Sequence, residues 1–168
     1  VDPDEIAFLA LEPIQGVGGY RFPSEAFMQE IADITGEYDI PLVVDEIQAG
    51  IGRTGEIWAS DHYPIEPDVI ASAKALRVGA TVSRSELFPG EKNRLGSTFG
   101  GGDLLGSMMG AFTLEAIGEY DLLDNATRRG EQAKERVRDD APDSVVDVRG
   151  KGLMLAVEFD TAARRDAV

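Results

Sequence analysis

Short apolar runs along this 168-residue chain alternate with a segment of helical periodicity. The runs EIAFLALEP (5–13), IPLVVDE (40–46) and PDVIASAK (67–74) predict three buried strands. Between the first two, Phe27, Ile31 and Ile34 recur at helical spacing, and Ser24 and Gly36 are suited to cap the two helix ends. The more evenly alternating segment ATVSRSELF (80–88) predicts an edge strand.

Strands that alternate with helices indicate an α/β fold, with three layers, a mostly parallel sheet and helices on both faces. The segment at 100–120 is apolar on most helical faces, so we expect a buried helix there. A charged amphipathic helix is predicted at 121–142 and two short strands at 144–160. This change of pattern predicts a large domain over 1–120, followed over 121–168 by a connecting helix and the start of a small α+β domain.

The charge balance excludes whole classes of partner. Thirty-one acidic against sixteen basic residues give a formal charge of −15, which argues against nucleic acid and anionic membranes as partners. The acids are dispersed and only four of the bases are lysine, which favours a halophilic source. Cysteine is absent, and neither a signal peptide nor an apolar run of membrane length is found, so we expect a cytoplasmic protein. The first residue is Val1 rather than methionine, which suggests a piece of a longer protein.

Charged side chains stand where each predicted strand ends. Glu12 follows the first strand, Asp45 and Glu46 follow the second, and Lys74 follows the third. Ligands of open parallel sheets bind outside the carboxyl ends of the strands. Because a buried charge is costly without a partner, we expect these residues to converge on one polar ligand.

The spacing within these strand ends indicates what kind of ligand it is. Strand alternation places Asp45 and Ile47 on one face and Glu46 on the other, and an acid beside a flat apolar residue suits a heteroaromatic ring with a nitrogen. The Lys74 amine is a candidate Schiff-base nucleophile for a carbonyl on that ring. In GSTFGGG (96–102), hydroxyls such as those of Ser97 and Thr98 precede a helix start, as in a phosphate cradle. A ring nitrogen, an aldehyde and a phosphate together describe pyridoxal 5'-phosphate (PLP).

Four segments of the chain follow the order of one protein family and are spaced much as they are in that family. They are EPIQGVGGY, VVDEIQAGIGRTG, PDVIASAKAL and GSTFGGG. Through these segments the chain resembles a class III aminotransferase, a PLP enzyme of fold type I. Weaker similarity continues through LLDNA and VRGKGLMLAVEF. Members are more than twice this length, so the resemblance implies that a phosphate-binding N-terminal segment and a substrate-binding C-terminal arginine lie outside this chain.

The resemblance implies a role for each matched position. Lys74 stands at the Schiff-base lysine and Asp45 at the acid that pairs with the pyridinium nitrogen. Ile47 matches the residue packed on the ring, and Gln48 the one near its phenolic oxygen. Thr98 matches a threonine that reaches the phosphate of the neighbouring subunit's cofactor, which implies a homodimer.

Three further positions are expected to shape the site. Glu12 matches an acid near the site that is expected to support the loops. Val17 stands where members acting on 4-aminobutyrate and ornithine have a glutamate that pairs with a mobile arginine, so a switch of that kind is in doubt. Arg77 and Val78 replace a common Gly-Gly pair, and Arg77 either adds a positive charge near the substrate or points to solvent.

The implied reaction moves an amino group from an amino acid or amine donor to a 2-oxo acid through Lys74 and Asp45. An amino-acid racemase of the same fold would use the same two residues and is the first alternative. A more distant alternative is a receiver-like signalling module that binds a metal ion and accepts phosphate; on the enzyme interpretation no metal is expected. We expect little activity from the chain alone. His62, the only histidine, is expected to be a loop residue and not a catalytic base.

Overall fold

The computed structural model describes residues 2–91, 94 and 102–168, and two sheets are formed within them. The first has the strand order β1-β2-β3-β4, in which the first three strands are parallel and β4 is antiparallel to β3. The second is an antiparallel hairpin of β5 and β6. The predicted mostly parallel sheet with helices is therefore confirmed. The bounds are β1 Leu9–Leu11, β2 Leu42–Asp45, β3 Val69–Ser72, β4 Ala80–Ser83, β5 Val145–Lys151 and β6 Met154–Phe159, with helices α1 Glu25–Glu37, α2 Leu104–Glu119, α3 Leu122–Asp140 and α4 Ala162–Arg165.

Helix α1 covers part of the first sheet. It begins as predicted, because the Ser24 hydroxyl accepts the Phe27 N–H at 3.2 Å. Its inner face brings Met28 against Leu42 and Val44 of β2, all of them buried. The expected end at Gly36 is wrong, because Asp39 takes the left-handed conformation that closes the helix, with φ of 52°.

Helix α2 departs from the prediction. Its contacts within the described part of the chain come through a narrow stripe that includes Gly106, Gly110 and Ile117, which face the 3-10 turn Lys74–Leu76 and helix α3. The large apolar side chains around that stripe remain exposed, so the expectation of a buried helix is wrong for this chain. The exposed side chains are Leu104, Leu105, Met108, Met109, Phe112 and Leu114.

Helix α3 packs on the hairpin through small residues. Ala126, Gly130 and Lys134 are buried at four-residue spacing, so they form one stripe along the helix. The Lys134 ammonium donates to the Gly150 carbonyl at 3.0 Å, and the Arg138 guanidinium donates to the Val148 carbonyl at 2.7 Å. The predicted charged helix is thereby fixed to the strands that follow it. Among the residues described, no helix combines the length and the apolar character needed to cross a bilayer.

His62 lies in the 3-10 turn Ala59–His62, and burial lowers its pKa from the ordinary histidine value of 6.5. Its Nε2 atom is buried without a hydrogen-bond partner among the described residues. The folded protein therefore favours the neutral ring. The neutral His62 ring contributes fully to the stability of the fold above pH 6.5, and this contribution is lost as the pH falls through the lowered pKa.

We expect the urea midpoint of the native chain to fall more between pH 7 and pH 5.5 than that of His62→Gln, which cannot titrate there. Because the chain has one histidine, its ring C–H signals in an NMR titration give the pKa directly. A measured pKa at or above 6.5, or equal pH responses of the two proteins, would contradict the expectation.

Candidate active site

The strand ends meet at one edge of the first sheet, as the sequence predicts. Leu11 of β1 pairs with Val44 of β2, and Asp45 pairs with Ala71 of β3, so the three parallel strands end side by side. Glu12 follows the first strand directly, and Lys74 opens the 3-10 turn just beyond the third.

A hydrogen bond joins Lys74 to Gln48. The Lys74 ammonium donates to the Gln48 Oε1 atom at 2.9 Å, and the Gln48 Nε2 group donates to the Tyr20 hydroxyl at 3.3 Å. An ammonium group has no acceptor, which requires the carbonyl end of the amide to face the lysine. The orientation of Gln48 is thus set from both sides.

Gly16 allows the Gln48 amide to approach the first loop closely. A Cβ atom at this position would lie 2.7 Å from Gln48 Oε1 and 3.3 Å from Glu12 Oε2. The Glu12 carboxylate in turn accepts the Gly16 N–H at 2.8 Å. Glu12 therefore binds the backbone of the loop that leaves β1 and lies next to the Lys74–Gln48 pair.

The neighbouring acids Asp45 and Glu46 occupy opposite environments. Asp45 is exposed, and its carboxylate accepts the Ile47 N–H at 2.9 Å. Glu46 is 1% exposed, and its two oxygens accept the N–H groups of Ala59 and Ser60 at 3.0 and 2.7 Å. Burial raises the pKa of Glu46, whereas these two backbone hydrogen bonds act in the opposite direction. Asp45 is left at the sheet edge, where it can pair with a cation.

A cavity of about 230 Å³ opens beside Lys74. Sequence reasoning missed several of the residues that line it. Tyr20 lies at the end of the glycine loop, and Leu153 and Met154 lie at the turn between β5 and β6, both far in the chain from the strand ends. The paired glycines before Tyr20 and the glycines around Lys151 were the available signals, since glycines mark sharp turns and close backbone approach. The lining residues are Tyr20, Gln48, Arg53, Lys74, Ala75, Leu153 and Met154.

The other predicted positions lie at varying distances from this cavity. Ile47 is half-buried, and the Val17 side chain is 86% exposed on the glycine loop. Arg77 is exposed and does not line the cavity; it closes the turn after Lys74 in the left-handed conformation, with φ of 64°. A glycine adopts that conformation without strain, so the Gly-Gly pair that the resemblance implies for many family members would suit this turn. Ser97 and Thr98 lie outside the described residues.

The 3-10 turn that carries Lys74 packs closely against helix α2. The carbonyls of Leu76 and Arg77 lie 3.1 and 3.3 Å from where Cβ atoms would stand at Gly110 and Gly106. The missing side chains let the turn that carries Lys74 contact the helix backbone closely.

A sequence profile of the family described as "Aminotransferase class-III" matches residues 1–168, which is the whole chain. The chain belongs to the class III aminotransferases. This membership confirms the resemblance seen in the sequence and leaves the receiver-like signalling module without support.

Two curated class III relatives have closely similar sequences. Acetylornithine aminotransferase of Methanopyrus kandleri is 39% identical over 160 residues, which cover 92% of this chain and 41% of the relative. The mitochondrial acetylornithine aminotransferase of Candida glabrata is 39% identical over 170 residues, covering 95% of this chain and 39% of the relative. The chain thus spans about 40% of the length of these aminotransferases.

A solved structure of ornithine aminotransferase from Toxoplasma gondii has the same fold, with a TM-score of 0.82 at 33% identity. The match covers 95% of this chain and 39% of that one, and PLP partly occupies the active site of the Toxoplasma enzyme. The likeness supports fold type I for this class III chain.

Proposed function

We propose that the protein catalyses PLP-dependent transfer of an amino group from an amino acid or amine donor to a 2-oxo acid. The observation that carries this proposal is the hydrogen bond between Lys74 and Gln48. It forms at the sheet edge where the parallel strands end, and Asp45 is the last residue of its strand at the same edge. Membership of the class III aminotransferases supports the reaction class.

The described residues fit PLP. Lys74 supplies an amine beside an open cavity, and the absence of a side chain at Gly16 keeps Gln48 against it. No salt bridge among the described residues involves Asp45, so its carboxylate is available to a ring nitrogen. When bound, PLP acts as an electron sink for the substrate carbon.

Each residue of the site then has a task of its own. With PLP bound, Lys74 would hold the cofactor covalently and its amine would move a proton at the substrate carbon. Asp45 would keep the ring nitrogen protonated, Ile47 would cover one ring face, and Gln48 would orient the lysine and the ring oxygen. Ser97 and Thr98 are assigned to phosphate, with Thr98 serving the cofactor of the neighbouring subunit in a homodimer.

The remaining features complete the proposed subunit. Residues 1–120 belong to a three-layer large domain with helices on both sheet faces, and residues 121–168 form the connecting helix and the start of the small domain. The Val17 side chain offers no hydrogen-bond acceptor, so a carboxylate switch for ω-amino substrates is not part of this proposal. The dispersed acidic surface suits a cytoplasm of high salt content.

Borohydride reduction in the presence of PLP tests the assignment of Lys74. Peptide mapping locates the labelled residue and separates Lys74 from the other lysines of this chain, at positions 92, 134 and 151. We expect the label on Lys74 in the full-length protein and no specific label in Lys74→Arg. Labelling of another lysine would refute the assignment. Formation of a keto acid from the donor, as opposed to loss of its optical activity, separates the aminotransferase from the racemase.

A further inference from the structure

Arg149 of β5 is oriented by two carboxylates. Its Nη1 atom donates to Asp147 Oδ2 and to Glu158 Oε2, each at 2.6 Å, and its side chain is 18% exposed. A guanidinium carries five donors in a rigid plane, so fixing one nitrogen directs the others.

The remaining donors of Arg149 reach a loop about 130 residues earlier in the chain. Nε donates to the carbonyls of Gly19 and Tyr20 at 3.1 and 3.2 Å, and Nη2 donates to the Gly19 carbonyl at 2.6 Å. One side chain of the hairpin thus binds two successive carbonyls of the loop beside the candidate active site.

That loop has an unusual backbone. Gly18, Gly19 and Tyr20 all have positive φ angles, of 102°, 92° and 49°. The left-handed region is strained for a residue other than glycine, so Tyr20 needs support from its surroundings to remain there. The base of the loop is closed by two backbone hydrogen bonds between Gln15 and Arg21, and Arg149 holds the carbonyls nearer its tip.

Tyr20 connects this loop to the lysine. Its hydroxyl accepts from Gln48, whose opposite end accepts from Lys74. A hydrogen-bonded path therefore runs from the carboxylates of the hairpin through Arg149, the Tyr20 backbone, the Tyr20 ring and Gln48 to the Lys74 amine.

We propose that Arg149 is a positioning residue for the lysine: it holds Gly19 and Tyr20 in the left-handed conformation, so that Tyr20 and Gln48 present the Lys74 amine to its carbonyl partner. This inference rests on the proposed function of Lys74. It gives the hairpin, whose residues Leu153 and Met154 line the cavity beside Lys74, a direct influence on the lysine as well.

Two glycines in the loop provide a matched pair of variants. A Cβ atom at Gly19 would lie 3.0 Å from Arg149 Nη2, whereas a Cβ atom at Gly18 meets nothing within 4 Å. Both positions have similar positive φ, so alanine is strained at each, but only Gly19→Ala also disturbs the arginine. Arg149→Lys keeps the charge and removes the fork that binds two carbonyls and two carboxylates together.

The variants are compared in the full-length protein by two measurements made well below their unfolding temperatures. The first is the rate at which PLP becomes trapped on Lys74 by borohydride. The second, made without PLP, is amide hydrogen exchange over residues 16–21. We expect Arg149→Lys and Gly19→Ala to slow trapping by about tenfold or more relative to Gly18→Ala, because small misplacements of a reacting group are costly. Exchange over 16–21 should rise in the same two variants beyond its value in Gly18→Ala.

Trapping at the native rate in Arg149→Lys, with only a lower unfolding temperature, would show a purely structural arginine and overturn the proposal. Equal trapping rates in Gly18→Ala and Gly19→Ala would overturn it as well. If the native protein fails to label Lys74, the proposed function fails, whereas the exchange measurement still decides whether Arg149 holds the loop.

Discussion

The substitution Gly130→Ala is expected to lower the free energy of unfolding by about 3 kcal/mol or more. This loss is at or above the largest that overpacked core substitutions usually cause. Gly130 lies on the buried stripe of α3, directly against the turn between β5 and β6. A Cβ atom there overlaps the Gly152 carbonyl and lies 2.9 Å from the Gly152 Cα atom. These are backbone atoms, so a side-chain rotation cannot relieve the overlap.

The turn has no room to move away from the helix. Behind it, a Cβ atom at Gly152 would lie 2.5 Å from the carbonyl carbon of Thr54, and the Leu153 N–H is bonded to the Arg53 carbonyl at 2.9 Å. Helix, turn and the loop after β2 therefore form three layers of backbone in direct contact. Relief requires α3 to separate from the hairpin, which exposes Ala126 and breaks the bond from Lys134 to Gly150.

Gly118→Ala in α2 is the matched control, because a Cβ atom there meets nothing within 4 Å. The same chemical change in an open helix position should raise the free energy of unfolding by about 0.5–1 kcal/mol. Urea denaturation of the two variants measures both effects. A Gly130→Ala variant as stable as the native chain would show that the contact between helix and turn is looser than described.

The site residues that sequence reasoning found are those whose placement depends on local pattern. An apolar run ending in a charge predicts both a strand and the place where it stops, and parallel strands bring such ends to one edge. That rule suffices to put Glu12, Asp45 and Lys74 at the same sheet edge. Gln48 is identified by the resemblance to the family and not by the strand pattern.

Periodicity carries no information about partners distant in the chain. The contacts of Arg149 with Gly19 and Tyr20 join the two ends of the chain, and a composition pattern does not encode them. The prediction that α2 is buried fails for a related reason. An apolar surface shows that a helix can be covered, but whether it is covered depends on which other parts of the protein lie against it. Gly36 fails because the left-handed residue that ends α1 is Asp39, where Ile40 donates its N–H to the Thr35 carbonyl at 3.0 Å.

Asp45→Asn is expected to reduce the proposed aminotransferase activity of the full-length protein by about 100-fold or more, as for the loss of other electrostatic contacts in active sites. A neutral amide cannot stabilise a protonated ring nitrogen as a carboxylate does. The fold should be unaffected, because Asp45 is exposed and the Oδ1 atom of asparagine can still accept the Ile47 N–H. Activity and the urea midpoint are measured on the same preparation.

The adjacent Glu46→Gln supplies the opposite outcome. Glutamine has one acceptor oxygen for the two N–H groups of Ala59 and Ser60, and its own N–H₂ faces the second donor. Leaving that buried donor unsatisfied should cost about 1–3 kcal/mol of stability. The activity per folded molecule should stay close to native, since the buried Glu46 side chain is not among the residues proposed to hold the cofactor. Two isosteric acid-to-amide changes at consecutive positions thus separate chemistry from folding, and an Asp45→Asn variant that keeps its activity would remove Asp45 from the proposed site.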